Sequence, residues 1–220
     1  LGIALHPNFA NNHKLYVYHT YSNGTAVFNK VVIFTEQDNR LIDSATIIDG
    51  IPAADRNDGG RIKFGPDGKL YIATGDVRSP ELAQNADSLA GKILRLNDDG
   101  SIPDDNPFPG SPIYSLGHRN VQGLAWHPDT GELYASEHGE TGNDEINLIK
   151  PGENYGWPLE ECNGTLFEGP VRCFSPAIAP GGITIPSSDE LGYRGDILIS
   201  SLRGTHVRQL DLETGESNNV

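Results

Sequence analysis

The stretch IKFGPDGKLYIATGD, residues 62–76, decides the fold, because the chain contains two near copies of it. The copies read GIALHPNFANNHKLYVY and LAWHPDTGELYASEHG. Each is an apolar strand, a turn with Pro followed by Asn or Asp, and a second strand that contains Leu-Tyr. The turn prolines Pro7, Pro66 and Pro128 are separated by 66 − 7 = 59 and 128 − 66 = 62 residues. A repeat of this length is typical of a β-propeller with elaborated blades.

The rest of the chain has the same character and predicts an all-β protein. A fourth cycle begins with GITI at residues 182–185, and no long amphipathic helix pattern is present. The strand pattern ends within residues 47–58 through Pro52, and residues 151–180 are predicted to be almost entirely loop. We therefore predict a single β-propeller domain over residues 1–220, which covers about four blade repeats and forms part of a longer parent chain. Functional residues are expected between the repeats, since propellers bind ligands on the loops at one end of a central channel.

Composition limits the partners and the compartment. The formal net charge of −14 repels phosphate backbones and argues against nucleic acid as a partner. No run is long and apolar enough to predict a membrane span. The two cysteines, Cys162 and Cys173, flank a short turn-rich loop, so a disulfide is favoured over two buried free thiols. A disulfide indicates an oxidising compartment, and we expect an extracellular or periplasmic protein.

Four loops combine glycine with charged groups at the repeat junctions: residues 57–61, 117–120, 137–147 and 202–204. Arg119 and Arg203 lie a whole repeat apart, so a propeller would direct both at one channel mouth. Two guanidinium groups there could bind carboxylates bidentately. The alternative is a pair of exposed or structurally paired arginines.

The third of these loops is rich in oxygen atoms. It contains Glu137, Glu140, Asn143, Asp144 and Glu145, together with glycines that free backbone carbonyls. Ca²⁺ takes six to eight oxygen ligands, but the fixed spacing of an EF-hand is missing. A calcium site and a solvated acidic turn both remain open. The histidines in these loops, His118 and His138, are candidates either for function or for local hydrogen bonding.

A larger set of motifs resembles a known family. The segments RIKFGPDGKLYIATGD, KILRLNDDGSIPDDNPF, SLGHRNVQGLAWHPDTGELYASEHG, DEINLI and NYGWP occur here in the order found in soluble quinoprotein sugar dehydrogenases, the glucose/sorbosone or aldose sugar dehydrogenase family. The resemblance spans residues 1–212. It implies a six-bladed β-propeller that holds pyrroloquinoline quinone (PQQ) on Ca²⁺ at the channel mouth. It also implies oxidation of the anomeric carbon of aldoses to lactones, an external electron acceptor and possible homodimers.

The resemblance assigns cofactor contacts to three residues of this chain. Arg119 and Asn120 match the Arg-Asn pair that contacts PQQ. Arg203 stands where the family usually has a lysine that pairs with a PQQ carboxylate. The charge is kept at this position, but a guanidinium has a different geometry from an ammonium.

Metal ligands follow from the same resemblance. Gly139 and Glu140 match the two positions whose carbonyl oxygens bind the calcium under PQQ, and the second of these is usually proline. Glu145 and Tyr155 match the ligands of a second, structural calcium. A backbone carbonyl does not depend on the side chain, so Glu140 keeps the ligand atom.

The catalytic position departs from the family. Asn57 stands where the family has the histidine that takes the proton of the sugar C1 hydroxyl, and an amide has no basic nitrogen. Asp58 is the adjacent ionisable group, although its side chain should point differently. Losing a positioned base costs about 10²–10⁴ in rate. The alternatives to an active dehydrogenase are therefore a catalytically impaired propeller that acts as a binding module, as in the related hedgehog-interacting protein, and a calcium-stabilised fragment without a PQQ site.

Overall fold

The computed structural model describes residues 1–140 and 142–220. Within them the chain forms sixteen strands, one short α-helix and one 3₁₀ turn, in this order: β1 (Gly2–Leu5), α1 (Phe9–Asn12), β2 (Lys14–Ser22), β3 (Val27–Gln37), β4 (Arg40–Pro52), β5 (Gly59–Phe64), β6 (Leu70–Thr74), the 3₁₀ turn (Pro80–Ala83), β7 (Lys92–Leu96), β8 (Ile113–Leu116), β9 (Val121–Trp126), β10 (Leu133–Glu137), β11 (Asp144–Ile149), β12 (Arg172–Phe174), β13 (Pro180–Thr184), β14 (Ile197–Ser201), β15 (His206–Leu210) and β16 (Ser217–Asn219).

The strands form four antiparallel sheets of four strands each: β1–β4, β5–β8, β9–β12 and β13–β16. Each sheet is ordered as in the sequence, so the four sheets are blades 1 to 4 of a β-propeller. The all-β prediction and the count of about four blades are confirmed. No helix in the described parts of the chain is long and apolar enough to cross a membrane.

The repeated sequence is the first hairpin of blades 1 to 3. In blade 2 the turn closes because Gly65 donates its N–H to the carbonyl of Lys69 at 2.9 Å, and Gly68 takes the positive φ of 74° that glycine tolerates. The Leu-Tyr pair that follows is buried. Tyr71 packs edge-on against Trp126 of the next blade, with ring centroids 5.0 Å apart. The repeat therefore encodes both the turn and the contact between neighbouring blades.

Apolar side chains fill the spaces between successive blades. Tyr16 and Val31 of blade 1 pack with Ile72 and Leu94 of blade 2 in one buried cluster. Two further clusters join blade 2 to blade 3 and blade 3 to blade 4. Burial of apolar area at each of these seams holds the blades together.

The two ends of the blades differ in what they carry. The turns of the repeated hairpins lie at one end. The blade-to-blade connections lie at the other end, with the connections between the second and third strand of each blade. We call this second end the loop face, which is formed by residues 53–58, 75–91, 117–120, 138–140, 142–143, 175–179 and 202–205. All four loops singled out in the sequence reach the loop face.

One strand boundary agrees with the prediction, and one strand was not predicted. β4 ends at Pro52, within residues 47–58, where the sequence predicts that the strand pattern ends. β4 is exposed along most of its length and its pairing with β3 is interrupted by bulges, so it lacks regular apolar alternation. The prediction that residues 151–180 are almost entirely loop misses β12, whose three residues pair with β11.

Candidate functional site

Asn57 lies in the connection between blades 1 and 2 and is tied to a buried carboxylate. Its backbone adopts a left-handed φ of 59°, and its side-chain Nδ2 donates to Oδ1 of Asp76 at 2.9 Å. Asp76 is only 1% exposed and also accepts the Trp157 indole N–H at 2.9 Å and the Arg78 backbone N–H at 2.9 Å. Sequence reasoning missed Asp76. Its position just after the strand in the segment ATGD, at the loop face, is the signal that could have identified it.

Asp58 faces a different set of partners. Its Oδ1 accepts the side-chain amide of Asn29 at 2.9 Å and the backbone N–H of Ala54 at 3.0 Å. Its backbone carbonyl accepts the Tyr18 hydroxyl at 3.2 Å. The carboxylate of Asp58 therefore anchors residues 53–58 to blade 1. Within the described residues, none of its hydrogen bonds involves Asp76, the partner of the Asn57 side chain.

A buried glutamate shapes the connection between blades 2 and 3. Glu137, which is 4% exposed, accepts Nδ1–H of His118 at 2.9 Å and the backbone N–H groups of Arg119 and Asn120. With Nδ1 protonated, Nε2 of His118 accepts the hydroxyl of Ser115 at 2.8 Å. His118 therefore serves local hydrogen bonding, and Glu137 fixes the backbone of the predicted PQQ-contacting pair.

The Arg119 side chain is fixed by two contacts, but one of its N–H groups has no hydrogen-bond partner among the described residues. Its Nη1 donates to the His138 carbonyl at 3.1 Å, and its guanidinium lies over the Trp157 ring at 5.3 Å. Its Nε is buried without a hydrogen-bond partner among the described residues. Asn120 accepts the backbone N–H of Gly59 at 3.1 Å, which ties this connection to the one that holds Asn57.

The peptides around Gly139 are fixed by two carboxylates. Gly139 donates its N–H to Oδ1 of Asp144 at 3.2 Å, and Glu140 donates its N–H to Oε1 of Glu161 at 2.8 Å. A Cβ at Gly139 would overlap the carbonyl oxygen of Asn143, so only glycine fits. Within residues 1–140 and 142–220, neither the Gly139 carbonyl nor the Glu140 carbonyl accepts a hydrogen bond. The next residue of this predicted loop, Thr141, lies outside the described residues.

Most acidic residues of this loop are buried, and only Glu140 among them is exposed. Asp144 is buried, and its Oδ2 accepts the backbone N–H groups of Ile178 and Ala179, both at 2.7 Å. Glu145 is also buried and accepts the Cys162 backbone N–H at 2.7 Å. Burial, aided by the nearby charge of Glu137, raises the pKa of Glu145 to about 7.

The predicted ligands of the second calcium meet at one small cavity. Glu145 and Tyr155 both line a space of about 10 Å³, together with Glu160, Glu161 and Glu168. The Tyr155 hydroxyl donates to the Leu148 carbonyl at 2.6 Å and accepts the Lys150 N–H at 2.8 Å, so only its backbone carbonyl is free to bind a metal. In the described part of the chain, no group of three or more His, Cys, Asp or Glu side chains has ligand geometry for a metal.

Arg203 lies on the open side of the loop face. It is exposed, and none of the ion pairs within residues 1–140 and 142–220 includes it. It shares a cavity of about 670 Å³ with Glu140, Gly142 and residues 175–177. The structure therefore places Arg203 on the same cavity as Glu140, one of the two predicted calcium ligands.

These features can be set beside known proteins. The family model for glucose / sorbosone dehydrogenase matches residues 1–220. The chain belongs to this family. It is 37% identical over 94% of its length to aldose sugar dehydrogenase YliI of Escherichia coli, and 39% identical over 72% of its length to quinoprotein glucose dehydrogenase B of Acinetobacter calcoaceticus.

A solved relative has the same arrangement of blades. The PQQ-bound form of aldose sugar dehydrogenase from Streptomyces coelicolor superposes with a TM-score of 0.89 at 40% identity, over all of this chain and 66% of that one. The chain spans 63% of the E. coli enzyme and 39% of the Acinetobacter enzyme. The disulfide prediction is also confirmed, since Cys162 and Cys173 are bonded with their Cα atoms 5.5 Å apart.

The residues present fit PQQ, which the Streptomyces coelicolor relative binds. The buried Nε of Arg119 has no partner among the described residues and is a donor suited to an anionic group such as a PQQ carboxylate. The carbonyl of Gly139 accepts no hydrogen bond from those residues and is an oxygen ligand of the kind that Ca²⁺ takes. The fit is incomplete at Asn57, where the amide offers no base.

Proposed function

We propose that this chain forms the PQQ- and calcium-binding part of a quinoprotein that oxidises the anomeric carbon of aldose sugars to lactones. The observation that carries the proposal is the half-buried Arg119 side chain, whose buried Nε has no hydrogen-bond partner among residues 1–140 and 142–220 and lies near the Gly139 peptide, whose carbonyl accepts no hydrogen bond from them. When bound on calcium, PQQ supplies the two-electron acceptor for the sugar. An external electron acceptor would then reoxidise the cofactor.

The chain's own residues have separate tasks in this proposal. Arg119, Asn120 and Arg203 would hold the cofactor, and the carbonyls of Gly139 and Glu140 would hold its calcium. Glu145 and the carbonyl of Tyr155 would hold a second calcium. The network of Glu137 and Asp76 keeps these groups in place before any ligand arrives, which is the arrangement that favours catalysis.

The proton step is where this chain differs. The carbonyl oxygen of Asn57 can accept a hydrogen bond from the sugar C1 hydroxyl, but the amide cannot carry the proton away. Asp58 already accepts two hydrogen bonds from the blade 1 side. We therefore propose that cofactor binding is retained while proton transfer to the protein is weak, so that oxidation is slow.

Asn57 also supports a second candidate, a catalytically impaired propeller that acts as a binding module. The two candidates separate in one experiment on the natural full-length protein. It is loaded with Ca²⁺, titrated with PQQ and then given a panel of aldoses while the quinone absorbance is followed. PQQ binding followed by slow reduction supports the dehydrogenase. PQQ binding without reduction by any sugar supports the impaired propeller, and absence of PQQ binding overturns the proposed cofactor site.

The disulfide supports an extracellular or periplasmic location, because such bonds persist in oxidising compartments. We propose a small-molecule aldose as the substrate and a homodimer as the assembly, which light scattering on the full-length protein tests. A monomeric full-length protein would exclude the dimer.

A further inference from the structure

Glu140 stands where the family resemblance implies a proline, and the difference adds a hydrogen-bond donor. Proline has no backbone N–H, whereas Glu140 has one. In this chain the added N–H donates to the carboxylate of Glu161 at 2.8 Å. Glu161 belongs to the long loop between β11 and β12, so a distant segment reaches the predicted calcium-binding peptide.

The planarity of the peptide gives this contact a consequence. The N–H of Glu140 and the C=O of Gly139 belong to one planar unit and point in opposite directions. A carboxylate that holds the N–H therefore fixes the carbonyl on the other side. The preceding peptide is fixed in the same way, because Gly139 donates to Asp144 while the His138 carbonyl accepts from Arg119.

Glu161 is itself held in place by its neighbours. The next residue, Cys162, donates its backbone N–H to the buried carboxylate of Glu145 at 2.7 Å. Cys162 is bonded to Cys173, which pairs with Glu145 in the β11–β12 ladder. The loop is thus fastened to blade 3 at the residue that follows Glu161, so the carboxylate of Glu161 reaches Glu140 from an anchored position.

We propose that Glu161 is a positioning residue that presents the Gly139 carbonyl to the cofactor calcium. It restrains the peptide at position 140 through a charge-assisted hydrogen bond, where the family resemblance implies the restraint of a proline ring. This inference rests on the proposed function, since it assumes that calcium binds at the Gly139 carbonyl.

The test measures calcium affinity rather than turnover. Calcium is titrated into the full-length protein with PQQ in excess, for the wild type, Glu161→Ala, Glu161→Gln and Glu153→Gln. Binding at the cofactor site is followed by the quinone absorbance, because Glu161 also lines the cavity predicted to hold the second calcium. Outer groups that orient metal ligands are worth about 10–100-fold in metal affinity. We expect Glu161→Ala to weaken calcium by about tenfold. Glu161→Gln should retain most of the affinity because its amide oxygen still accepts. Glu153→Gln removes one charge from the same region at an exposed site and should leave the affinity within about twofold.

A double-mutant cycle with Glu140→Pro makes the test specific. Proline removes the N–H that Glu161 accepts, so Glu161→Ala should cost nothing further in that background. Equal losses in both backgrounds, or an affinity of Glu161→Ala within twofold of wild type, would overturn the inference alone. The metal-free melting temperature of each variant separates misfolding from mispositioning, and equal falls for Glu161→Ala and Glu161→Gln would also count against it. A wild type that takes up neither PQQ nor calcium overturns the proposed function and this inference together.

Discussion

Two junctions of the loop face are built in opposite ways. Between blades 2 and 3, Glu137 is buried and accepts three N–H groups from His118, Arg119 and Asn120. Between blades 3 and 4, Glu140 and Arg203 are exposed on a wide cavity. The first junction is fixed before a ligand binds, whereas the second leaves its charged groups free.

The difference indicates that the two junctions contribute differently to ligand binding. A preorganised junction loses little conformational entropy when a ligand binds, whereas an open junction must order its side chains on binding. Asn57 belongs with the fixed part, since it shares the Asp76 and Trp157 network. The hydrogen-bonded surroundings of the predicted catalytic position are therefore ordered, although Asn57 supplies no base.

The largest effect is expected from restoring the base. Histidine is tolerated in the left-handed backbone region that Asn57 occupies, and Asp76 can accept its Nδ1–H and leave Nε2 as the base. We expect Asn57→His to raise the rate of aldose oxidation by about 10²–10⁴, measured as quinone reduction in the PQQ-loaded protein.

The matched control is Asn57→Gln, which is also a longer side chain but has no basic nitrogen and should not raise the rate. If Asn57→His binds PQQ as tightly as the wild type and reduces it no faster, the fixed junction is not a catalytic scaffold.

Much of the fold could be predicted because the repeated hairpins carry strong local signals. Pro66, Asp67 and Gly68 specify a turn through their backbone preferences, and Leu70 and Tyr71 mark the buried strand after it. The outer strands could not be predicted as well. They are short or exposed, and β12 depends on partners far away in the sequence.

The sequence was sufficient to predict which loops carry the candidate site, but not which side chains contact one another there. The sequence indicated that Arg119 and Arg203 serve one face, yet it could not show that one is packed on Trp157 and the other is open to solvent. Glu137 was grouped with possible calcium ligands because it lies in an acidic loop. Its actual partners are backbone N–H groups 17 and 18 residues away, which only the folded chain brings near.

The next largest effect is expected on stability, where substitutions in the two junctions should change the free energy of unfolding by different amounts. Glu137→Ala leaves three buried N–H groups without an acceptor and should lower the free energy of unfolding by about 3 kcal/mol. Glu140→Ala removes an exposed carboxylate and should change it by less than about 0.5 kcal/mol. Urea denaturation of the metal-free protein measures both. Similar losses for the two variants would contradict the contrast between the junctions.

A smaller, pH-dependent effect is expected beneath the fixed junction. Lys92 is fully buried and donates to the carbonyls of Leu82, Ala83 and Ala90. Burial lowers the pKa of Lys92 from 10.5 to about 8. Between these two pH values the unfolded chain binds more protons than the folded one, so the contribution of Lys92 to the free energy of unfolding rises with pH.

Lys92→Met keeps the apolar stem but removes the titrating group. The unfolding free energy of the wild type minus that of Lys92→Met should therefore increase from about pH 8 to about pH 10.5. Denaturant titrations across this range measure the difference. A difference that is flat or falls with pH would mean that the buried ammonium keeps its proton in the fold.

The smallest effect should come from Arg203 in the open junction. Arg203→Gln removes an exposed charge, so the free energy of unfolding should stay within about 0.5 kcal/mol of wild type. PQQ affinity should fall by about three- to tenfold, less at high salt, because exposed charges are screened. Arg203→Lys keeps the charge and should retain most of the affinity. If Arg203→Gln instead lowers PQQ affinity as much as Arg119→Gln does, then PQQ binding must exclude water from around Arg203. The contrast between the two junctions in the ligand-free protein would then be lost in the complex.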